Sequence, residues 1–502
     1  MEVGAKPNLQ ASPFSESEQA ELESRSIPDG QEIQREVKQQ VKLVVPPITW
    51  SVLLYSLPVV TLMFVGHLGE LQLSAAALST SFTSVTSTCI LIGMSSGLEK
   101  FSEKLFGAKQ FNTMEKQFQR ALLVHLLLCI PLAIICIFTG EILKLLGQDP
   151  LLSAEAGAYA RVTISSLFPF AFLQCIIRFL QTDKDVIPVI TTAGTTAILH
   201  IPICYLMVFK TGLGYKGAPL AITASLWIQV GLLAIYIGKS DATKRTWTGF
   251  SKHPFHDVPN YLGLADPSTV MLCLELWALQ IQILIAGWLP NPMLETSVLS
   301  ISLNIYIMVS MIPVGLSGAV STRVSDELGA ARPHAARTSA FAAVLMVAAE
   351  GILAAIAMIV MHNVLGYCYS KEHKVVKHVG QMVFLTAGAQ FIDGIPTVLS
   401  GVARGCGWQK IGTCVNIGAY FAVGIPCGLL LAFYYHLGVK GLLAGIIVTQ
   451  LVKLLAFIII TLRIDWENQA KMASDQAQDP MQHKFDILLL NKPQVPQTAN
   501  PA

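Results

Sequence analysis

The sequence predicts an all-α multi-pass membrane protein whose twelve transmembrane helices form two six-helix lobes related by pseudo-two-fold symmetry. Three observations carry that expectation. Of 502 residues, 53% belong to the apolar set AVILMFWYC and only 13% to DEKR, whereas a soluble domain averages about 25% charged residues. Such a chain has too little polar surface to cover a water-exposed globule of its size, and its mean hydropathy is +0.56. Twelve apolar stretches are each long enough, at about 20 residues, to cross a hydrocarbon core about 30 Å thick as helix. The chain also repeats itself. Laid over each other, segments 92–110 and 314–332 pair Gly93 with Gly315, Ser95 with Ser317 and Gly107 with Gly329. Further on, Pro202 pairs with Pro426, and Gly214, Lys216 and Gly217 pair with Gly438, Lys440 and Gly441. Each copy holds six spans, an even number, so both enter from the same side and an axis along the membrane normal relates them.

The first copy places spans near 43–65, 74–97, 121–140, 156–178, 188–210 and 216–238, giving an N-lobe over 43–238. The second places them near 267–289, 296–319, 339–362, 380–402, 411–433 and 441–462, giving a C-lobe over 267–465. The connection 239–266 is polar, holds two prolines and is the expected linker. The tails, 1–42 and 466–502, are rich in Glu, Gln, Ser, Asp and Pro. They hold too little apolar surface to offset ordering entropy, so disorder is expected there. No apolar stretch follows a basic segment in the first 42 residues, so no cleavable signal is expected.

Loop charge sets the expected orientation, because connections rich in Lys and Arg stay cytoplasmic. The side shared by both termini carries Lys100, Lys104, Lys109, Lys116, Arg120, Arg178, Lys184, Lys239, Lys244, Arg245, Lys252, Arg323, Arg332, Arg337, Arg404 and Lys410. The opposite side carries fewer: Lys144, Lys210, Lys216, Lys371, Lys374, Lys377 and Lys440. Both termini are therefore expected in the cytoplasm. A net charge of +2 offers no basic excess for phosphate neutralisation, so nucleic acid is not an expected partner. The ten cysteines are scattered without a CxxC pair and read as small buried hydrophobes rather than metal ligands or a disulfide frame. Without a GxxxxGK[ST] loop or an HExxH helix, neither ATP hydrolysis nor metalloprotease chemistry is expected. No enzyme activity, cofactor or metal is predicted.

A carboxylate at membrane depth costs at least about 2.5 kcal/mol on insertion scales, so each one calls for a partner or a task. Three stand out: Glu275 in span 7 (VMLCLELWALQ), Glu350 in span 9 (VAAEGIL) and Asp393 in span 10 (QFIDGIP). All three belong to the second copy, which places proton or cation chemistry in the C-lobe. Desolvation favours a neutral carboxyl, so such groups are suited to exchanging a proton, although each could instead fix helix packing. Asn304 and Tyr306 in span 8, with Gln280 and Gln282 in span 7, offer neutral hydrogen bonds as cavity lining or as interhelical glue. Glu350 and His200, in span 5, are the secondary candidates for a proton relay, His200 reading equally as a packed, satisfied histidine. Arg161 lies near a span end and can snorkel. Pro58, Pro188, Pro202, Pro313, Pro396 and Pro426 each remove a backbone donor within or near a span and permit a bend.

Five strings resemble the multidrug and toxic compound extrusion (MATE) transporters, in particular the plant DETOXIFICATION branch. They are FVGHLGELQLSAAALS (64–79), LPNPMLETSVLSISLN (289–304), STRVSDELGAARP (321–333), VLSGVARGCGWQKIG (398–412) and IDWENQA (464–470). The resemblance spans roughly residues 40–470. It implies an antiporter that exports organic compounds, often cationic or secondary metabolites, against inward proton flow. Within it, Glu275 and Asp393 match the C-lobe acids of the family and Asn304 its polar span 8 position. The sequence departs at Gln280, where a second span 7 acid is common, and at Ser102, Glu103 and Lys104, where Cys-Gly-Gln is usual.

The expected partners are a small organic substrate, protons and the lipid bilayer, with the protein a monomer in the vacuolar or plasma membrane. A lipid-type flippase of the same superfamily and an uncoupled channel are the alternatives. The flippase would favour a basic, membrane-open cavity, and few cations lie inside the spans.

Overall fold

In hydrocarbon each unpaired backbone amide costs several kcal/mol, so a chain this apolar must close its hydrogen bonds within its own helices. The computed structural model describes residues 30–95, 98, 111–182, 186–240 and 267–478, and among them no strand occurs. The spans are α1 (Gly30–Gly66), α2 (Glu70–Ser95), α3 (Glu115–Ile137), α4 (Pro150–Gln181), α5 (Ile187–Lys210) and α6 (Gly214–Lys239) in the first copy. They continue as α7 (Pro267–Ala286), α8 (Pro292–Gly329), α9 (Pro333–Val360), α10 (His373–Gly405), α11 (Gln409–Tyr434) and α12 (Val439–Leu462) in the second. Short helices Thr139–Leu145 and His362–Tyr369 turn the chain before α4 and α10, and α13 (Trp466–Gln478) follows α12.

Two expected boundaries need correction. Helix α1 begins at Gly30, inside the segment assigned to a disordered tail, and buries Glu36 and Gln40. Its polar leading turns order by pairing with distant partners on α8 and α9, a source of stability that hydropathy does not register. Residues 466–478 of the other tail form α13, which the Asp465 side chain caps by accepting from the Asn468 amide at 3.1 Å. Ile464, Trp466 and Ala470 pack it against the C-lobe. Residues 1–29, 479–502 and 241–266, and the departure at Ser102–Lys104, lie outside the described residues.

The repeat read from sequence is a repeat of irregularities. Four residues after Pro202 the backbone widens into a π-turn, Leu206–Lys210; four residues after Pro426 it does so again, Leu430–Tyr434. Each proline lacks the amide that a regular helix would use, and a π-turn absorbs the mismatch. Gly217 and Gly441 then lie against these turns. A Cβ on Gly217 would fall 2.1 Å from the Met207 carbonyl oxygen, and one on Gly441 would fall 2.5 Å from the Ala432 nitrogen. Only a glycine permits either approach.

Packing divides the molecule by height. On the side opposite the termini, one continuous apolar cluster joins both copies: Val59, Val65, Leu73 and Ala221 meet Ile283, Leu299, Val379 and Leu443. On the side of the termini two clusters lie apart. Phe118, Phe179 and Leu233 belong to the first copy, while Leu316, Val324, Ala340 and Val402 belong to the second. Helix α1 straddles the division, with Val44 and Ile48 on the C-lobe cluster and Trp50 and Leu54 on that of the N-lobe.

Candidate functional site

Four helices of the second copy carry ionisable or phenolic groups to one place. Helix α7 brings Glu275, α10 brings Asp393, the π-turn Gly418–Gly424 of α11 brings Tyr420, and α12 brings Lys453. The Lys453 ammonium lies 3.1 Å from Glu275 Oε1 and 3.9 Å from Asp393 Oδ1. It also donates to the Tyr420 hydroxyl at 3.3 Å and sits over that ring, 5.0 Å from its centroid. Tyr420 passes its own proton toward Glu275 Oε1 at 2.9 Å. One turn before Lys453 on the same face, Gln450 donates to the Tyr306 hydroxyl at 2.9 Å.

Asp393 has neutral partners of its own. Thr397, one turn on, donates to its Oδ1 at 3.1 Å, and Ser310 Oγ lies 3.4 Å from Oδ2 and 2.9 Å from Gln390 Oε1. Accessibility separates the three charges. The Lys453 side chain is 2% exposed and that of Asp393 7%, whereas Glu275 keeps 32%. Glu275 is the least covered of the three, and Lys453 lies sealed behind it. From Asp393 to the end of α10 at Gly405 is twelve residues, about 18 Å along the axis.

The structure therefore brings Glu275, Asp393 and Tyr306 together. The other candidates lie elsewhere. Asn304 faces the N-lobe, its Oδ1 accepting from the Tyr55 hydroxyl at 3.1 Å while its amide donates to the Ser300 carbonyl at 2.8 Å. Gln280 is half-buried on α7, a turn and more beyond Glu275, and Gln282 is buried with an unpartnered carbonyl oxygen. Glu350 is buried at both carboxyl oxygens and partners neither. His200 is pinned at both ring nitrogens, 2.9 Å from Thr61 Oγ1 and 2.9 Å from Ser225 Oγ, where it ties α5 to α1 and α6, away from the acid cluster.

Sequence reasoning passed over Lys453, Tyr420 and Gln450. The count of few cations within the spans is corrected accordingly: Lys453 stands in VTQLVKLLAF, and the cost that singled out the acids applies equally to an ammonium. Tyr420 carried no such mark, because a tyrosine in an apolar run is ordinary.

A second polar cluster explains the STRVSDELGAARP string. Arg323 grips Glu36 with both arms of its guanidinium, Nε to Oε1 at 3.0 Å and Nη2 to Oε2 at 2.9 Å. Glu327 forms ion pairs with Arg323 at 2.8 Å and with Arg332 at 3.0 Å. Ser339 donates to Glu36 at 2.8 Å, and Gln40 donates to the Ser339 carbonyl at 2.8 Å. The leading turns of α1 are thus latched to the C-lobe. In the VLSGVARGCGW string, Gly401 lets α10 close on Ser317 of α8, and Arg404 donates to the Ser317 hydroxyl at 2.7 Å.

Comparison with known proteins agrees with this architecture. The MatE family model matches residues 46–206 and 267–430, one block in each lobe. Protein DETOXIFICATION 17 of Arabidopsis thaliana is 46% identical over 444 residues, covering 88% of this chain and 93% of its own. Protein DETOXIFICATION 16 of the same plant is 45% identical, covering 88% and 91%. The crystal structure of the eukaryotic MATE transporter AtDTX14 superposes with a TM-score of 0.76 at 36% identity, over 89% of this chain and all of that one. With two family-model blocks, near-half identity to full-length relatives and a matching twelve-helix fold, this chain belongs to the MatE family of membrane transporters.

Proposed function

We propose that the protein is a proton-coupled antiporter that exports organic compounds, often cationic, by alternating access. The observation that carries this reading is the cluster Glu275–Lys453–Asp393 in the C-lobe, in which one acid is accessible and its two charged neighbours are sealed. An accessible carboxylate at membrane depth binds either a proton or a cationic substrate, and each displaces the other by charge. A ligand shifts the inward and outward states only through its differential affinity for them, so protonation must weaken substrate binding on the release side. Glu275 and Asp393 are the coupling acids in this reading. Tyr306, Asn304 and Gln280 line the route, and Glu350 and His200 drop to packing roles.

The division of the core by height supports the alternating-access part. Two lobes fused by one apolar cluster on one side, and on the other tied through α1 rather than by a shared core, have the form of a transporter closed on the side away from its termini. By the charge of the loops the termini are cytoplasmic, so the closed side is the exterior or a vacuolar lumen. The protein acts as a monomer in the vacuolar or plasma membrane. Lys453 does not supply the basic, open cavity of a lipid flippase, because it is buried and paired.

The test is uptake of a fluorescent organic cation into proteoliposomes under an imposed pH gradient, wild type against Glu275→Gln and Asp393→Asn. Gradient-driven accumulation that both substitutions abolish is the expected result. Equilibration without a gradient, unchanged by either, would overturn the reading in favour of a channel.

A further inference from the structure

We infer that Lys453 is a fixed counter-ion of the coupling site, one that limits it to a single exchangeable positive charge. The inference rests on the antiport reading and adds a stoichiometry to it. A sealed ammonium is stable only when paired, and its pairing here is extensive: Glu275, Tyr420 and, more distantly, Asp393 surround it. With both acids ionised the three groups sum to one negative charge. One proton or one monovalent cation neutralises that charge. A second would leave a net positive charge around the sealed Lys453, at membrane depth, where uncompensated ions are strongly disfavoured.

Among the described residues, no charged group other than Lys453 is hydrogen-bonded to either acid. Tyr306 and Tyr420, from α8 and α11, are phenols held by Gln450 and contribute no charge. Arg404, on α10 eleven residues beyond Asp393, has its guanidinium hydrogen-bonded to Ser317 of α8, and its positive charge acts on Glu275 through space alone. Glu350 of α9 acts on Asp393 through space, and neither of its buried oxygens has the hydrogen-bond donor that an ionised carboxylate requires. Among the described residues, Glu275 and Asp393 are therefore the acids that Lys453 pairs.

Two acids without a lysine would behave differently. Two carboxylates that share a sealed site cannot both stay ionised without compensation, so the site would hold one proton firmly and exchange a second. Lys453 takes the place of that firmly held proton. A single exchangeable charge makes the exchange of one monovalent cation for one proton electroneutral. It also selects against dications, which would leave the site positively charged.

Infrared difference spectroscopy of the purified full-length protein, titrated from mildly alkaline to mildly acidic pH, tests this without any substrate. The readout is the carboxylic C=O stretch that is missing from a Glu275→Gln, Asp393→Asn double variant. Wild type is expected to gain the amplitude of one carboxylic acid, Lys453→Arg the same, and Lys453→Met about twice as much in total protonated carboxyl. A wild type that gains two acids would overturn the inference, even if Lys453→Met failed to fold, and so would a Lys453→Met protein whose total protonated carboxyl at the acidic end equals that of wild type. Because no transport is measured, failure here is distinguishable from failure of the antiport reading, which Glu275→Gln decides by flux.

Discussion

At the scale of single residues, the carboxylates were legible and their setting was not. Glu275 and Asp393 announce themselves because any acid in an apolar run is costly, and the fold brings both to one ammonium. Lys453 was readable by the same rule. Tyr420 was not, since its role comes from a π-turn that rotates it toward Glu275, a backbone event with no residue signature. Tyr420→Phe removes a donor to Glu275 and an acceptor from Lys453 while keeping the ring. A hydrogen bond to a charged group contributes about 1.5–3 kcal/mol, so gradient-driven flux should fall by about tenfold or more with the fold retained. Flux measured against expression level and a detergent melting curve checks this; unchanged flux would remove Tyr420 from the site. His200 provides the contrast. Both its ring nitrogens are satisfied inside the N-lobe, so His200→Ala should destabilise by about 1–3 kcal/mol by leaving Thr61 and Ser225 without their partner. The pH profile of transport should stay where it was, and a displaced profile would restore His200 as a relay.

Elements were legible where stability is local or apolar, and illegible where it is neither. Apolar length located eleven helices that, among the described residues, are long enough to span, together with α7, whose apolar part Cys273–Ala286 is shorter, and the paired prolines and glycines located the repeat. The leading turns of α1 escaped because they are polar, and what orders them is an ion pair that crosses 287 residues of sequence. Breaking a well-buried, bidentate pair from one side leaves the other charge unpaired, at a cost of about 3–5 kcal/mol when fully buried and less for the partly exposed Arg323. Glu36→Ala should therefore release residues 30–45 from the C-lobe, seen as faster amide exchange confined to that segment, with the rest of α1 still protected. Uniform protection would show that apolar packing of Val44 and Ile48 suffices. The glycines facing the π-turns are a stricter case. At Gly441 an added methyl meets backbone rather than a flexible side chain, so Gly441→Ala should cost about 1–3 kcal/mol by overpacking. Its repeat mate Gly217→Ala should do the same, each lowering the detergent melting temperature.

For the whole molecule, the two-lobe plan follows from an even-numbered repeat, but which end is closed is a property of packing that no motif encodes. The closed end has specific fastenings between the lobes. Gln148 donates to the Leu284 carbonyl at 2.8 Å, the Trp288 indole donates to the Leu146 carbonyl at 3.0 Å, and Gly66 abuts the Tyr369 carbonyl. A carrier that works by alternating access must part these contacts once per cycle, whereas a channel need never do so. Cysteines at Leu146 and Trp288, in a background with the exposed Cys368 and Cys414 replaced by serine, place two thiols across that seam. A short bifunctional thiol reagent should link them and stop gradient-driven uptake, and a reductant that cleaves the linker should restore it. Each single-cysteine variant should keep its transport through the same treatment. Linked protein that transports at the unlinked rate would mean the seam need not open. The lobes would then be a rigid frame, and the path for substrate would lie within one of them.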